Sequence, residues 1–177
     1  NDELTQPPTH IFLQSGCGGF AASVASALRQ YWGNQTPRVV IVEPELAACL
    51  YESSKANEVK RVNIKEESIM AGLSCGEASE MAWEILTEEV VDFITIPDNI
   101  VPQTVRALAR PVGDDPVIEA GESAVAGLAV LICAVKQLDL RAKLGLDKTS
   151  RVLSIGSEGV TDREIFAKIM EGDKHAG

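Results

Sequence analysis

Long apolar stretches are missing from this 177-residue chain: no uninterrupted run approaches the roughly 20 residues that a bilayer-spanning helix needs. The opening residues Asn1-Asp2-Glu3-Leu4 have neither the basic segment nor the apolar core of a secretory signal. Basic residues are scarce, 16 against 26 acidic ones, for a formal net charge of −10. Neutralising phosphodiesters takes a surplus of Lys and Arg on some face, so the composition argues against nucleic acid and membrane surfaces as partners. Only two histidines and four cysteines are present, and Cys17, Cys49, Cys75 and Cys133 form no C-x-x-C pair, so no metal site is written in the spacing. Most of the cysteines are expected to be small core residues. There is no initiator Met, and residues 1–8 (NDELTQPP) lead straight into an apolar strand. A cytoplasmic fragment of a longer polypeptide, folded as one α/β domain over residues 1–177, is the expectation.

What the chain does have is alternation. Apolar β-rich runs at 9–14, 38–43, 59–64, 92–97 and 151–155 are separated by helical patterns at 19–32, 45–54, 77–89, 99–109, 122–138 and 162–171. That order predicts an open, mostly parallel sheet with helices on both faces, a three-layer α/β fold. Asp98 and Asp162 stand at helix starts, and the breakers between Pro111 and Pro116 mark a loop.

Three glycine-bearing segments are candidates for chemistry. In Phe12-Leu13-Gln14-Ser15-Gly16-Cys17-Gly18-Gly19-Phe20-Ala21 a strand passes through glycines into a helix, the arrangement that gathers backbone N–H groups and a positive helix end around a phosphate. The same residues fit G-x-G-x-x-A with Gly16, Gly18 and Ala21, and Glu43 closes the following strand, so an NAD-binding module is a rival reading. In Gly156-Ser157-Glu158-Gly159, beyond the last strand, Ser157 is the candidate ligand contact, with a turn serine as the plain alternative. Between them, Glu122 and Ser123 open a helix of small residues and are candidates for its cap. Residues 72–76 match G-x-S-x-G formally. No strand precedes them and the only later histidine is His175 near the C-terminus, so a hydrolase triad is not supported. His10, Trp32 and Trp83 read as packing residues, and Glu66-Glu67 and Glu88-Glu89 as solvated faces.

Six segments in order, THIFLQSGCGGFA, VVIVEPELAACLY, IMAGLSCGE, MAWEIL, GDDPVIEAGESAVAGLAVL and GSEGVTD, resemble the C-terminal half of the diaminopropionate ammonia-lyase family, fold-type II pyridoxal-phosphate enzymes. The resemblance implies pyridoxal 5'-phosphate as cofactor, its phosphate held by the N–H groups of Gly16, Cys17, Gly18 and Gly19. It places Ser157 opposite the pyridine nitrogen, where a neutral hydroxyl leaves the ring largely unprotonated and favours elimination, and Glu122 near the ring edge, with the 72–76 loop walling the site. The implied reaction takes the α-proton of diaminopropionate, a small amino acid, and expels the β-amino group, giving pyruvate and ammonia. A homodimer is implied for the full-length enzyme. The Schiff-base lysine belongs to the N-terminal half of the family; none of Lys55, Lys60, Lys65, Lys136, Lys143, Lys148, Lys168 and Lys174 stands in the matching context, so no catalytic residue is expected here and the chain alone should be inactive. Val160 replaces a common acidic residue, and Cys17 and Phe20 are unusual in the phosphate loop. Threonine dehydratase-like enzymes share the architecture and stay open as the alternative, as does a silent interaction domain.

Overall fold

The computed structural model describes residues 6–172. Four strands, β1 (His10–Gln14), β2 (Arg38–Pro44), β3 (Val90–Ile96) and β4 (Val152–Ser154), form one sheet in the order β3-β2-β1-β4, and every pairing is parallel. The two central strands are rich in β-branched and large apolar residues because both of their faces are covered. Side chains alternate between the faces. Ile11, Leu13, Val39 and Ile41 point into a core shared with α1 (Gly19–Trp32), α2 (Cys49–Ala56) and α3 (Glu80–Glu89). Phe12, Val40 and Val42 point the other way, against α4 (Val101–Ala109), α5 (Ala126–Lys136), α6 (Leu138–Leu144) and α7 (Arg163–Glu171). Ile11, Phe12 and Leu13 are fully buried, each stabilising the fold by about 1.5–3 kcal/mol. α5 approaches the sheet closely at Gly127, where a Cβ would stand 2.7 Å from the Phe12 carbonyl oxygen.

The expected three-layer α/β architecture is therefore present, with differences in detail. Residues 59–64 are not a strand. Lys60, Arg61 and Asn63 are exposed, Arg61 makes a single antiparallel bridge to Glu77, and the place beside β2 is taken by β3. The helix expected over 122–138 begins only at Ala126, after a 3-10 turn at Ser123–Val125, and gives way at an extended Gln137 to α6, which leaves at 118°. No proline or glycine announces that break. α6 ends on Gly145 with φ 71°, whose N–H bonds the Ala142 carbonyl while that of Leu146 bonds Arg141. The helix expected from residue 45 is a 3-10 turn followed by α2. Asp162 caps α7 through the N–H groups of Glu164 and Ile165, as expected. Asp98 instead accepts from Ile69 N and the Ser68 hydroxyl. Among the described residues, no single helix is long and apolar enough to cross a membrane.

One consequence of the strand order positions everything that follows. Chain connectivity runs from β1 outward to β2 on one side, while β4 joins β1 on the other. The carboxyl ends of β1 and β4 thus flank a crevice where the winding reverses, the place where open α/β sheets receive ligands.

Candidate functional site: a cleft between the glycine loop and Ser157

β1 ends at Gln14, and Ser15 extends the ladder by one more bond, from its N–H to the Val42 carbonyl at 2.9 Å. The chain then turns through Gly16, Cys17 and Gly18 into α1. Gly18 has φ 99°, and a Cβ there would meet that of Ala82 at 2.9 Å, so glycine is required both by backbone conformation and by space. A Cβ on Gly16 would lie 3.3 Å from the Leu73 backbone, whereas Gly19 faces open space. The helical ladder starts with Ala22 N–H to the Gly18 carbonyl, which leaves the preceding N–H groups outside it. α1 carries no side-chain cap and no acidic residue in its first turn. A 14-residue helix thus presents an uncompensated positive end at the loop.

The loop is held from behind. Ser79 N–H donates to the Cys17 carbonyl at 2.9 Å, and the Cys49 thiol sits 3.6 Å from both the Gly16 carbonyl and Glu43 Oε1. Glu43 is fully buried, and its carboxylate accepts the N–H groups of Leu50 at 2.9 Å and Tyr51 at 2.7 Å. Burial pushes this carboxyl up to about 7 against the opposing pull of those bonds. The Cys49 thiol is pushed up as well, by burial first and by Glu43 second. Glu43 is thus consumed in fastening the start of α2, and the dinucleotide reading loses the acidic residue that would hold a ribose.

Across the cleft, a second wall is assembled from distant segments. Gly72 N–H donates to the Ser123 hydroxyl at 3.0 Å, Ser123 N–H to Glu158 Oε1 at 3.1 Å, and Gly121 N–H to the Glu158 carbonyl at 3.3 Å. Residues 120 and 159 form a bridge beside these bonds. Ser157 projects from the loop after β4, and its Oγ lies 2.7 Å from Gln14 Nε2, which also donates to the Ile155 carbonyl at 2.8 Å. The space enclosed is about 340 Å³, enough for a cofactor-sized ligand.

Gly16, Cys17, Gly18, Gly19 and Ser157, singled out in the sequence, all line this one cleft. Glu122 is buried and is not on its wall; its neighbour Ser123 is. Neither side chain caps α5, because the Ser123 hydroxyl is turned to Gly72 instead. Residues missed by sequence reasoning are Gln14, Ser123 as a wall residue, and Glu158. For Gln14 a signal existed: an amide at the end of an otherwise apolar, doubly covered strand needs partners. The 72–76 loop does wall the cleft, through Gly72 and Leu73. Ser74 follows a 3-10 turn rather than a strand, and its Oγ is buried without a hydrogen-bond partner. His175 lies outside the described residues, and the ring of His10 is engaged by Thr9 Oγ1 and the Leu144 carbonyl. Trp83 packs on Phe93 with ring centroids 6.2 Å apart. Of the cysteines only Cys49 is fully buried; Cys17 is exposed on the loop and Cys75 and Cys133 are half-buried, contrary to the core expectation.

The profile of the pyridoxal-phosphate dependent enzymes matches residues 2–158, from before β1 through the loop that carries Ser157. The chain belongs to that family. Within the pyridoxal-phosphate dependent enzymes it is similar to diaminopropionate ammonia-lyase of Escherichia coli K12, with 37% identity over 98% of this chain and 44% of the relative. Similarity to the Salmonella typhimurium diaminopropionate ammonia-lyase is 34%, over 96% of this chain and 43% of the relative. The crystal structure of the E. coli enzyme in complex with an aminoacrylate-PLP azomethine reaction intermediate superimposes with a TM-score of 0.88 at 36% identity, covering 98% of this chain and 44% of that one. The chain thus spans less than half the length of these relatives.

Proposed function

We propose that these 177 residues are the cofactor-phosphate half of a pyridoxal-phosphate-dependent ammonia-lyase whose full-length form converts 2,3-diaminopropionate to pyruvate and ammonia. The observation that carries the reading is a single cleft with a loop suited to an anion at one end and the Ser157 hydroxyl at the other. The donor set fits the cofactor: backbone N–H groups and a helix N-terminus suit a phosphate dianion, and a neutral hydroxyl suits a pyridine nitrogen. The N–H groups of Gly16, Cys17, Gly18 and Gly19 would hold the phosphate, and the Ser157 hydroxyl would meet the ring nitrogen. When bound, the cofactor supplies the electron sink that makes an amino acid's α-proton removable. This chain's own part is to anchor and orient. The glycine loop fixes one end of the ligand, Ser157 fixes the other, and the Gly72–Ser123–Glu158 bonds hold the walls between them.

None of the lysines among the described residues lines the cleft. The amine that binds the cofactor, and the groups that move the substrate's protons, are assigned to the portion of the relatives' length that this chain does not span. The isolated chain is therefore expected to bind cofactor without releasing ammonia. A small amino acid is the substrate class, and a homodimer the state of the complete enzyme.

Thermal denaturation of the purified chain, titrated separately with pyridoxal phosphate and with NAD, tests this. Pyridoxal phosphate should raise the melting temperature, and Gly18→Asp, which places a carboxylate in the loop, should abolish that shift. A shift with NAD alone would sink the proposal.

A further inference from the structure

Gln14 is almost fully buried beneath the cleft, and its amide meets two partners through one atom. The first, the Ile155 carbonyl at 2.8 Å, is able only to accept, so the amide nitrogen rather than the amide oxygen must face it. The second, Ser157 Oγ, stands 2.7 Å from that same nitrogen. An amide nitrogen has two hydrogens and no available lone pair, so Ser157 Oγ must accept. A hydroxyl that accepts from below keeps its single proton for a partner elsewhere, and Ser157 is an exposed residue on the cleft wall.

We infer that Gln14 is a positioning residue that occupies one of the two acceptor sites of the Ser157 hydroxyl and so biases its proton toward the cleft, which favours an acceptor as the ligand atom opposite. The inference rests on the cofactor reading above and deepens it. A pyridine nitrogen opposite Ser157 would be favoured in its unprotonated form by the direction of this bond. An ammonium or pyridinium N–H at that point would have to take the hydroxyl's remaining lone pair and turn its proton away from the ligand. A free serine offers a ligand its proton or either of two lone pairs; one fed by Gln14 keeps its proton and a single lone pair. Gln14 also belongs to β1, the strand that leads into the glycine loop, so the two ends of the cleft are referenced to one rigid element.

Equilibrium binding to the purified chain with three probes tests this: pyridoxal phosphate, its 1-deaza analogue in which carbon replaces the ring nitrogen, and inorganic phosphate. The native chain should prefer pyridoxal phosphate over the deaza analogue by about tenfold, the worth of one directed hydrogen bond. Gln14→Met, an unbranched side chain without donors, should cut that preference to about twofold and leave inorganic phosphate affinity unchanged. Gln14→Glu, whose carboxylate draws the serine proton toward itself, should abolish the preference and serves if the first variant folds poorly. In a Ser157→Ala background, Gln14→Met should have no further effect on discrimination. Equal preference in the native chain and both Gln14 variants would overturn the inference, as would a parallel loss of phosphate affinity, which a merely structural role predicts. A native chain that binds phosphate but neither pyridoxal compound overturns the cofactor reading itself, and with it the role of Gln14.

Discussion

The two ends of the cleft are built by different means. The glycine-loop end is contiguous, a run from Ser15 to Gly19 whose shape follows from a strand end, three glycines and a helix start. The Ser157 end is a composite of Gln14, Gly72, Gly121, Ser123 and Glu158, held by bonds between residues 35 to 143 positions apart. Backbone N–H groups need no side-chain choice to bind an anion, so the first end tolerates Cys17 and Phe20 as unusual neighbours. The second end works only if every loop arrives in register, and each bond in it depends on one particular side chain or on the lack of one.

The sharpest way to break the comparison is through the buried carboxylate behind the glycine loop. Glu43 has its pKa raised from 4.5 to about 7 in the folded chain by burial. The folded state therefore holds that proton more tightly than the unfolded state between those values. Its contribution to stability is full below about pH 4.5, declines as pH rises toward 7, and is flat above. A shift of that size corresponds to roughly 3 kcal/mol across the window. Urea titrations at pH 5 and pH 8 should show a slope of this sign that Glu43→Gln flattens; an unchanged slope in the variant would assign it to other groups.

A smaller effect is expected at the composite end from Gly121→Ala. The new Cβ would stand 2.5 Å from the Gly159 carbonyl oxygen and 2.6 Å from Glu158 Oε1. Overpacking of this kind costs about 1–3 kcal/mol. Pyridoxal phosphate affinity should fall while inorganic phosphate affinity, read by calorimetry, stays within about twofold. A parallel fall in both would mean that the two ends are not separable.

The smallest effect is expected from Glu158→Ala, which removes the acceptor for Ser123 N–H and should cost about 1 kcal/mol of stability. Glu158→Gln keeps an acceptor oxygen and should restore most of it. If Gln behaves as Ala does, the charge of Glu158 matters rather than its bond to Ser123.

Legibility in the sequence divided along the same line. The alternation of apolar runs predicted the parallel α/β sheet, and α1 begins and ends where the pattern placed it, because burial of both sheet faces leaves a strong periodic signal. Residues 59–64 carried a strand-like pattern without a strand: alternation reports that one side faces protein, which a surface segment satisfies without any ladder. The break at Gln137 had no local cause in sequence, since α5 and α6 each turn an apolar side to the same core and packing decides the bend. At the site, Gly16, Gly18 and Ser157 stood out by residue type and position. Serine before a helix reads as a cap, but the Ser123 hydroxyl accepts from Gly72, 51 residues earlier. Glu43 showed the reverse error, since an acid at a strand end reads as a ligand contact until its burial is known.

What the sequence determined by itself was whatever short-range sterics and burial periodicity control: the strand cores, the helix that follows the glycine loop, and the positive-φ turn at Gly18 that only glycine relieves. Tertiary structure alone decided how hydrogen bonds were distributed among polar side chains. Whether Glu43 faces ligand or helix, whether Ser123 caps or clasps, and which way the Ser157 hydroxyl points all depend on partners brought near by the sheet order β3-β2-β1-β4. A buried donor or acceptor takes whatever complementary group the fold sets within 3 Å, and sequence distance carries no information about that.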